Sequence, residues 1–261
     1  MKPEQNLRTN DALLPFMRTF LIAFFGVFSL LSISISNSAP GEIKINSSDE
    51  IISDVDYEQL LLTSIYTNCE LTDKLDFNVF KSAMDGYHSL DVPNKKLLSI
   101  IDYSKPSNEK RLFIIDVENH KLLYNTLVAH GKKSGYVNAI KFSNKYGSHK
   151  SCLGFFRTGI SYYGKRGYSL ELNGLEKGIN DNAKSRGIVI HGARYVDERI
   201  ANGNGVIGRS WGCPAVSKKL SKQIINLLKG GTLLYIYADD ELYKEKSVLA
   251  NFNVNGNSNQ N

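Results

Sequence analysis

The segment Gly187–Val216, GIVIHGARYVDERIANGNGVIGRSWGCPAV, sets the tightest limits on this chain. It opens with a short β-branched run, Gly187 to Ile190, that reads as a buried strand, and it closes on a Gly-Cys-Pro turn. His191 is expected where that strand leaves the core, and the Gly192 carbonyl can take its Nδ1 proton, leaving Nε2 to face a thiol. Gly212 permits a tight turn at unusual dihedrals, and Pro214 drives Cys213 toward an extended backbone. A cysteine attacks only as thiolate, so its free pKa of about 8.5 has to be lowered by a nearby imidazole or other cation. His191 and Cys213 are therefore the candidate base and nucleophile. The backbone N–H groups of Trp211, Gly212 and Cys213 are candidate oxyanion donors, each contributing about 3 kcal/mol in sites of this kind.

These residues resemble the L,D-transpeptidases with the YkuD-type catalytic domain, a family that remodels bacterial peptidoglycan. The resemblance runs from roughly Arg111 to Asp239 and rests on His191-Gly192, the spacer, Ser210-x-Gly212-Cys213, a helix and a final strand. Phe142-Ser143-Asn144, Ser148, Leu153-Gly154, Tyr163-Gly164, Ser169-Leu170 and Asn180-Asp181 are similar to the murein L,D-transpeptidase branch with a Ser-Trp-Gly-Cys-Pro motif. The resemblance implies Cys213 as nucleophile, His191 as base and Gly192 as the carbonyl that orients the imidazole. It implies a stem tetrapeptide as substrate, cut between its third residue, usually diaminopimelate, and D-alanine, with no cofactor. The thioester then passes to an amine of a neighbouring stem or of an envelope protein. Water as acceptor makes the same site an L,D-carboxypeptidase. Carbapenem acylation of Cys213 is a further implied property.

Two positions depart from the commoner family pattern. Trp211 stands where a second histidine is usual, and Ala215 stands where an arginine is often thought to hold a substrate carboxylate. Arg209 is the first candidate to replace that arginine, with Arg194, Arg199 and Arg186 also close in sequence, because an arginine fork suits bidentate carboxylate recognition. Ser210 and Tyr168, the latter in a Gly/Tyr-rich loop, complete the expected substrate-binding set. Trp211 suits stacking on a sugar or stem peptide as well as packing the loop onto the core. A non-catalytic murein-binding protein is the competing reading. A sortase-like transpeptidase fits the short His-to-Cys interval poorly.

Outside the motif, Phe20 to Leu31 is nearly all apolar, follows Arg18 and leads to Ser36-Asn37-Ser38-Ala39. Residues 1–39 read as a secretory signal or an uncleaved anchor, with Met17 as an alternative start, and point to the periplasm or cell envelope of a bacterium. Membrane contact is expected through that segment alone. Residues 40–105 are expected to be helical, with helices over Asp56 to Thr67 and Asp76 to Leu90, the second weakened by Gly86. Residues 106–240 read as the catalytic domain, mainly β with short helices in a sandwich. Its signals are a hairpin of Leu112–Val117 and Leu122–Val128, a helix capped by Ser217 and ended by Gly230, and a strand over Thr232–Tyr237. Residues 241–261 read as a disordered Asn-rich tail. A formal charge of +6 and a pI near 9.0 suit an anionic envelope polymer, while no basic run points to nucleic acid. The three cysteines allow a Cys69–Cys152 disulfide or three free thiols, and the histidines and cysteines lack metal-ligand spacing.

Overall fold

The computed structural model describes residues 54–249, so the expected leader, its cleavage site and the end of the Asn-rich tail lie outside the described residues. Among the described residues, two helices come first, α1 (Asp54–Asn68) and α2 (Phe77–Ser89). Asp76 starts α2 by accepting hydrogen bonds from the Asn78 and Val79 amides, which satisfies donors the first turn would otherwise leave open. Their apolar stripes meet through Leu62, Ile65, Tyr66, Val79, Phe80 and Met84, all buried. Tyr66 sets its ring edge-on to Phe77 at 5.1 Å.

Nine strands and three further helices follow among the described residues. In chain order they are β1 (Leu97–Asp102), β2 (Leu112–Asp116), β3 (Lys121–Thr126), β4 (Val128–Ala129), β5 (Gly154–Gly164), β6 (Gly167–Gly174), β7 (Val189–Ala193), α3 (Glu198–Asn204), β8 (Ala215–Ser217), α4 (Ser221–Leu228), β9 (Leu233–Tyr237) and α5 (Glu241–Lys246). The fold is mainly β with short helices, and the strands share one sheet in the order β3-β2-β1-β9-β5-β6-β7-β8-β4. The expected sandwich takes the form of this single sheet. Its two end strands, β3 and β4, are separated in sequence by Leu127 alone, so the sheet is a nearly closed barrel. Every residue of β1 and β2 is buried, as expected for strands covered on both faces. α2 packs on β1 and β9, and α4 on β5, β6 and β7.

Four local expectations change. A helical segment ending at residue 105 leaves β1 outside the catalytic sheet, whereas β1 pairs antiparallel with β2 and parallel with β9 in its interior. Ser217 does not cap a helix, because it ends β8 opposite Ala193, and α4 begins at Ser221 with no side-chain cap. The chain after residue 241 is ordered as far as Leu249, because the buried carboxylate of Glu176 needs donors. It accepts from the Phe155 amide at 2.6 Å, from Ser247 Oγ at 2.5 Å and from the Tyr243 hydroxyl at 3.4 Å.

Gly86 is the fourth. It sits inside α2 against the ring of Phe155, which a Cβ would overlap. It is a close-approach residue that lets α2 lie on the barrel. Gly86→Ala is therefore expected to destabilise the protein by about 1–3 kcal/mol through overpacking, against the gain of nearly 1 kcal/mol that helix propensity alone predicts. Urea unfolding of the variant decides which sign holds.

Candidate active site

β7 and β8 run parallel, with His191 opposite Ala215 and Ala193 opposite Ser217. Two residues upstream, the same register sets Cys213 beside Val189 and thus on the side of β7 that carries His191. The Cys213 Sγ reaches the Gly187 carbonyl at 3.5 Å. His191 lies within the strand, since β7 continues to Ala193 and the chain leaves the core only afterwards. Its Nδ1 is 3.2 Å from the Gly192 carbonyl, so that nitrogen carries the proton and Nε2 is the acceptor. Nε2 is buried with no hydrogen-bond partner. A buried acceptor left open is costly unless something comes to fill it.

The cysteine turn is held by serine hydroxyls. Ser210 Oγ donates to the Cys213 carbonyl at 2.6 Å and accepts the Gly212 amide at 3.0 Å. Ser151 Oγ donates to the Gly212 carbonyl at 3.2 Å and accepts the Gly131 amide at 3.0 Å. Gly212 has φ +119°, and a Cβ there would lie 2.7 Å from the Lys150 carbonyl, so only glycine fits. The Gly212 N–H is thus hydrogen-bonded to Ser210 Oγ, and Ser210 is buried within the turn. The amides of Trp211 and Cys213 remain as oxyanion candidates.

Behind the turn sits Arg111, wholly buried and with no carboxylate hydrogen-bonded to it. Its guanidinium donates to the Val128 carbonyl at 2.9 and 3.1 Å, to the Lys105 carbonyl at 2.7 Å and to His130 Nδ1 at 2.8 Å. Because Arg111 can only donate, His130 Nδ1 accepts, and its Nε2–H points to the Gly135 carbonyl at 3.3 Å. The His130 carbonyl in turn accepts the Ser210 amide at 2.9 Å.

The electrostatics differ from a preformed thiolate. Burial pushes the Cys213 thiol up, opposed more weakly by the Val189 amide and by the charges of Arg166 and Arg186. Burial lowers His191. The resting pair is neutral thiol and neutral imidazole, so a proton has to move during attack. Cys69 and Cys152, both buried and free, are pushed up to about 11. Among the described residues no group of three or more His, Cys, Asp or Glu could hold a metal ion, and no helix is long and apolar enough to cross a membrane.

The remaining expected residues scatter. Arg209 donates to the carbonyls of Lys132 and Gly135 and lies over the Tyr136 ring at 4.9 Å, so it braces the 132–136 loop. Arg186 is likewise held by the Ser143 and Lys150 carbonyls and Ser148 Oγ. Arg199 pairs with Asp197, and exposed Arg194 lines a separate cavity with Asp197, Lys218 and Lys219. The Tyr168 hydroxyl donates to Asn226 Oδ1 at 2.7 Å, tying β6 to α4. Trp211 is 60% exposed and stacks on His149, centroids 4.7 Å apart. Arg166, which sequence proximity to Cys213 gave no reason to single out, is brought near by the β5–β6 hairpin. Only the pairing of Ser169 with His191 reveals it.

Residues 71–237 match the family model of the L,D-transpeptidase catalytic domain, and the chain belongs to that family. No curated protein matches it. Among solved structures it is similar to an L,D-transpeptidase from Mycobacterium smegmatis, at 13% identity over 55% of this chain and 59% of that one, TM-score 0.35. It is also similar to an L,D-transpeptidase from Stackebrandtia nassauensis, at 14% identity over 68% and 76%, TM-score 0.34. A third is the helical cell shape determining protein Pgp2 from Campylobacter jejuni, at 14% over 74% and 61%, TM-score 0.37. The chain spans less than two thirds of the length of the mycobacterial protein.

Two measurements follow from the electrostatics. Iodoacetamide labelling of Cys213, followed by mass spectrometry across pH, is expected to be slow at neutrality, with its midpoint above the ordinary thiol value. A rate already saturated at pH 7 contradicts the buried neutral thiol. For His130, burial first and then the Arg111 charge lower the pKa from 6.5 to about 4. The unfolded state takes up this proton below about 6.5, so the contribution is intact above that pH and is lost as pH falls toward 4. It amounts to roughly 3 kcal/mol at most. Denaturant titrations at pH 7 and 4.5 are expected to show a larger acid loss for the natural protein than for His130→Asn.

Proposed function

We propose that this chain is an exported peptidoglycan L,D-transpeptidase whose nucleophile is Cys213. The observation that carries the reading is the register that sets Cys213 beside Val189 and His191 two residues further along the same strand, in a chain of the L,D-transpeptidase family. His191 Nε2, buried and unpartnered, takes the thiol proton as Sγ attacks the carbonyl carbon of the third stem residue. The backbone amides of Trp211 and Cys213 stabilise the oxyanion. The bond to D-alanine then breaks, His191 returns the proton to the leaving amine, and a thioester remains on Cys213. An acceptor amine attacks that thioester, gives its proton to His191 and leaves with the new amide bond, restoring the thiol. The neutral resting pair supports this order, with proton transfer coupled to attack.

Water in place of the amine gives a tripeptide and the carboxypeptidase outcome. The family's chemistry and the expected leader of residues 1–39 support action outside the cytoplasm, on stem peptides and on any envelope protein that presents an amine. Purified protein incubated with tetrapeptide muropeptides is expected to release D-alanine and form crosslinked dimers, read by mass spectrometry. Cys213→Ala is expected to abolish both. Tripeptide alone assigns the carboxypeptidase activity, and product that persists in Cys213→Ala removes the proposal.

A further inference from the structure

The cations around the motif divide sharply. Arg186, Arg199 and Arg209 are each held by carbonyls, a hydroxyl or a carboxylate, and Arg194 belongs to a cavity lined by Asp197 and Lys218. Arg166 is different. It lies with Lys165 at the tip of the β5–β6 hairpin, between the paired glycines Gly164 and Gly167. Further along β6, Ser169 is the residue paired with His191. The hairpin therefore carries the exposed Arg166 past the end of β7, the strand that bears His191. Among the described residues Arg166 has neither a hydrogen bond nor an ion pair.

Its charge is nevertheless felt at His191, at Cys213 and at Tyr195. The charges that act on the imidazole and the thiol are those of arginines. Besides Arg186, which is bound by carbonyls and a hydroxyl, the site thus has two neutral reacting groups and one cation with no hydrogen-bonded partner among the described residues, carried on a hairpin that is open to solvent. A planar guanidinium in that situation is matched by a carboxylate, which it can grip through two parallel N–H···O bonds.

We propose that Arg166 is a specificity-determining residue that binds the C-terminal carboxylate of the donor stem peptide. The inference rests on the reading of Cys213 as the nucleophile toward a stem tetrapeptide. The carboxylate belongs to the D-alanine that departs, so Arg166 holds the leaving residue and loses its counter-ion when the thioester forms. An acceptor amine then approaches a site with a bare cation, which repels a protonated amine and admits a neutral one.

The test compares a stem tetrapeptide with its C-terminal carboxamide. Binding is measured by calorimetry on Cys213→Ala protein, where no turnover occurs, with Arg166 intact, as Arg166→Gln and as Arg166→Lys. Arg166→Gln is expected to weaken the free acid about 10- to 100-fold, the range for a charge-assisted hydrogen-bonded pair, and to leave the carboxamide unchanged. Arg166→Lys is expected to recover part of the loss. Equal binding of the free acid with and without Arg166 overturns the proposal. An equal loss for acid and carboxamide also overturns it, by showing a structural effect of the hairpin. If Cys213→Ala protein with Arg166 intact binds neither peptide, the stem-peptide reading itself fails and the proposal fails with it. If binding is intact and only the Arg166 comparison is flat, the stem-peptide reading stands alone.

Discussion

A buried guanidinium with no carboxylate hydrogen-bonded to it is the constraint that orders this site. Removing Arg111 from water is tolerable only if its donors are satisfied, and they are satisfied by backbone carbonyls and one imidazole. Burial brings Arg111 down to about 10, still well above neutrality, so the charge persists. The Val128 carbonyl it holds lies in β4, and the His130 ring it holds lies one residue beyond that strand. From His130 the path continues through its carbonyl to Ser210, and through the Ser210 hydroxyl to the Gly212 amide and the Cys213 carbonyl. The turn that carries the thiol is thus fixed by a chain of hydrogen bonds that starts in the barrel interior. Nothing in that chain needs a charge at the thiol.

That separation of support from chemistry explains the electrostatics. The groups that position Cys213 are neutral hydroxyls and amides, which hold geometry without lowering the thiol. His191 is fixed by the strand ladder and by its own carbonyl neighbour. In the mechanism proposed above, two neutral groups so held exchange a proton as a carbonyl carbon arrives to take the sulfur's electrons. Burial of this kind also protects the thiol from idle oxidation, since the thiolate is the reactive form.

The sequence made the periodic elements legible and left the tertiary ones hidden. α1, α2, the β2–β3 hairpin and β9 follow from apolar spacing and turn residues, and the strand at Val189 follows from its β-branched run. β8 is three residues long, and its strand character comes wholly from pairing with β7 and β4, so Ser217 looked like a helix cap. α5 has a polar sequence and is ordered by a distant buried carboxylate, Glu176, which no local pattern announces. Gly86 looked like a flaw in a helix because the ring it accommodates belongs to β5. The candidate arginines were chosen by closeness in sequence, and the sheet register brought a different one, Arg166, into range. The oxyanion expectation counted amides without knowing that a serine two positions upstream would claim one of them.

The edge strands of the sheet are neighbours in the chain, and this has a mechanical meaning. β4 joins the barrel through two residue pairs with β8, Val128 to Val216 and Ala129 to Ala215, while every other ladder has at least three. Those two pairs do not stand alone, because Arg111 holds the Val128 carbonyl, the Ser210 amide donates to the His130 carbonyl and Gly131 bridges to Ser210. Both residues of β4 are fully buried. The shortest ladder of the barrel is therefore closed by the same bonds that hold the cysteine turn, so whatever loosens one loosens the other.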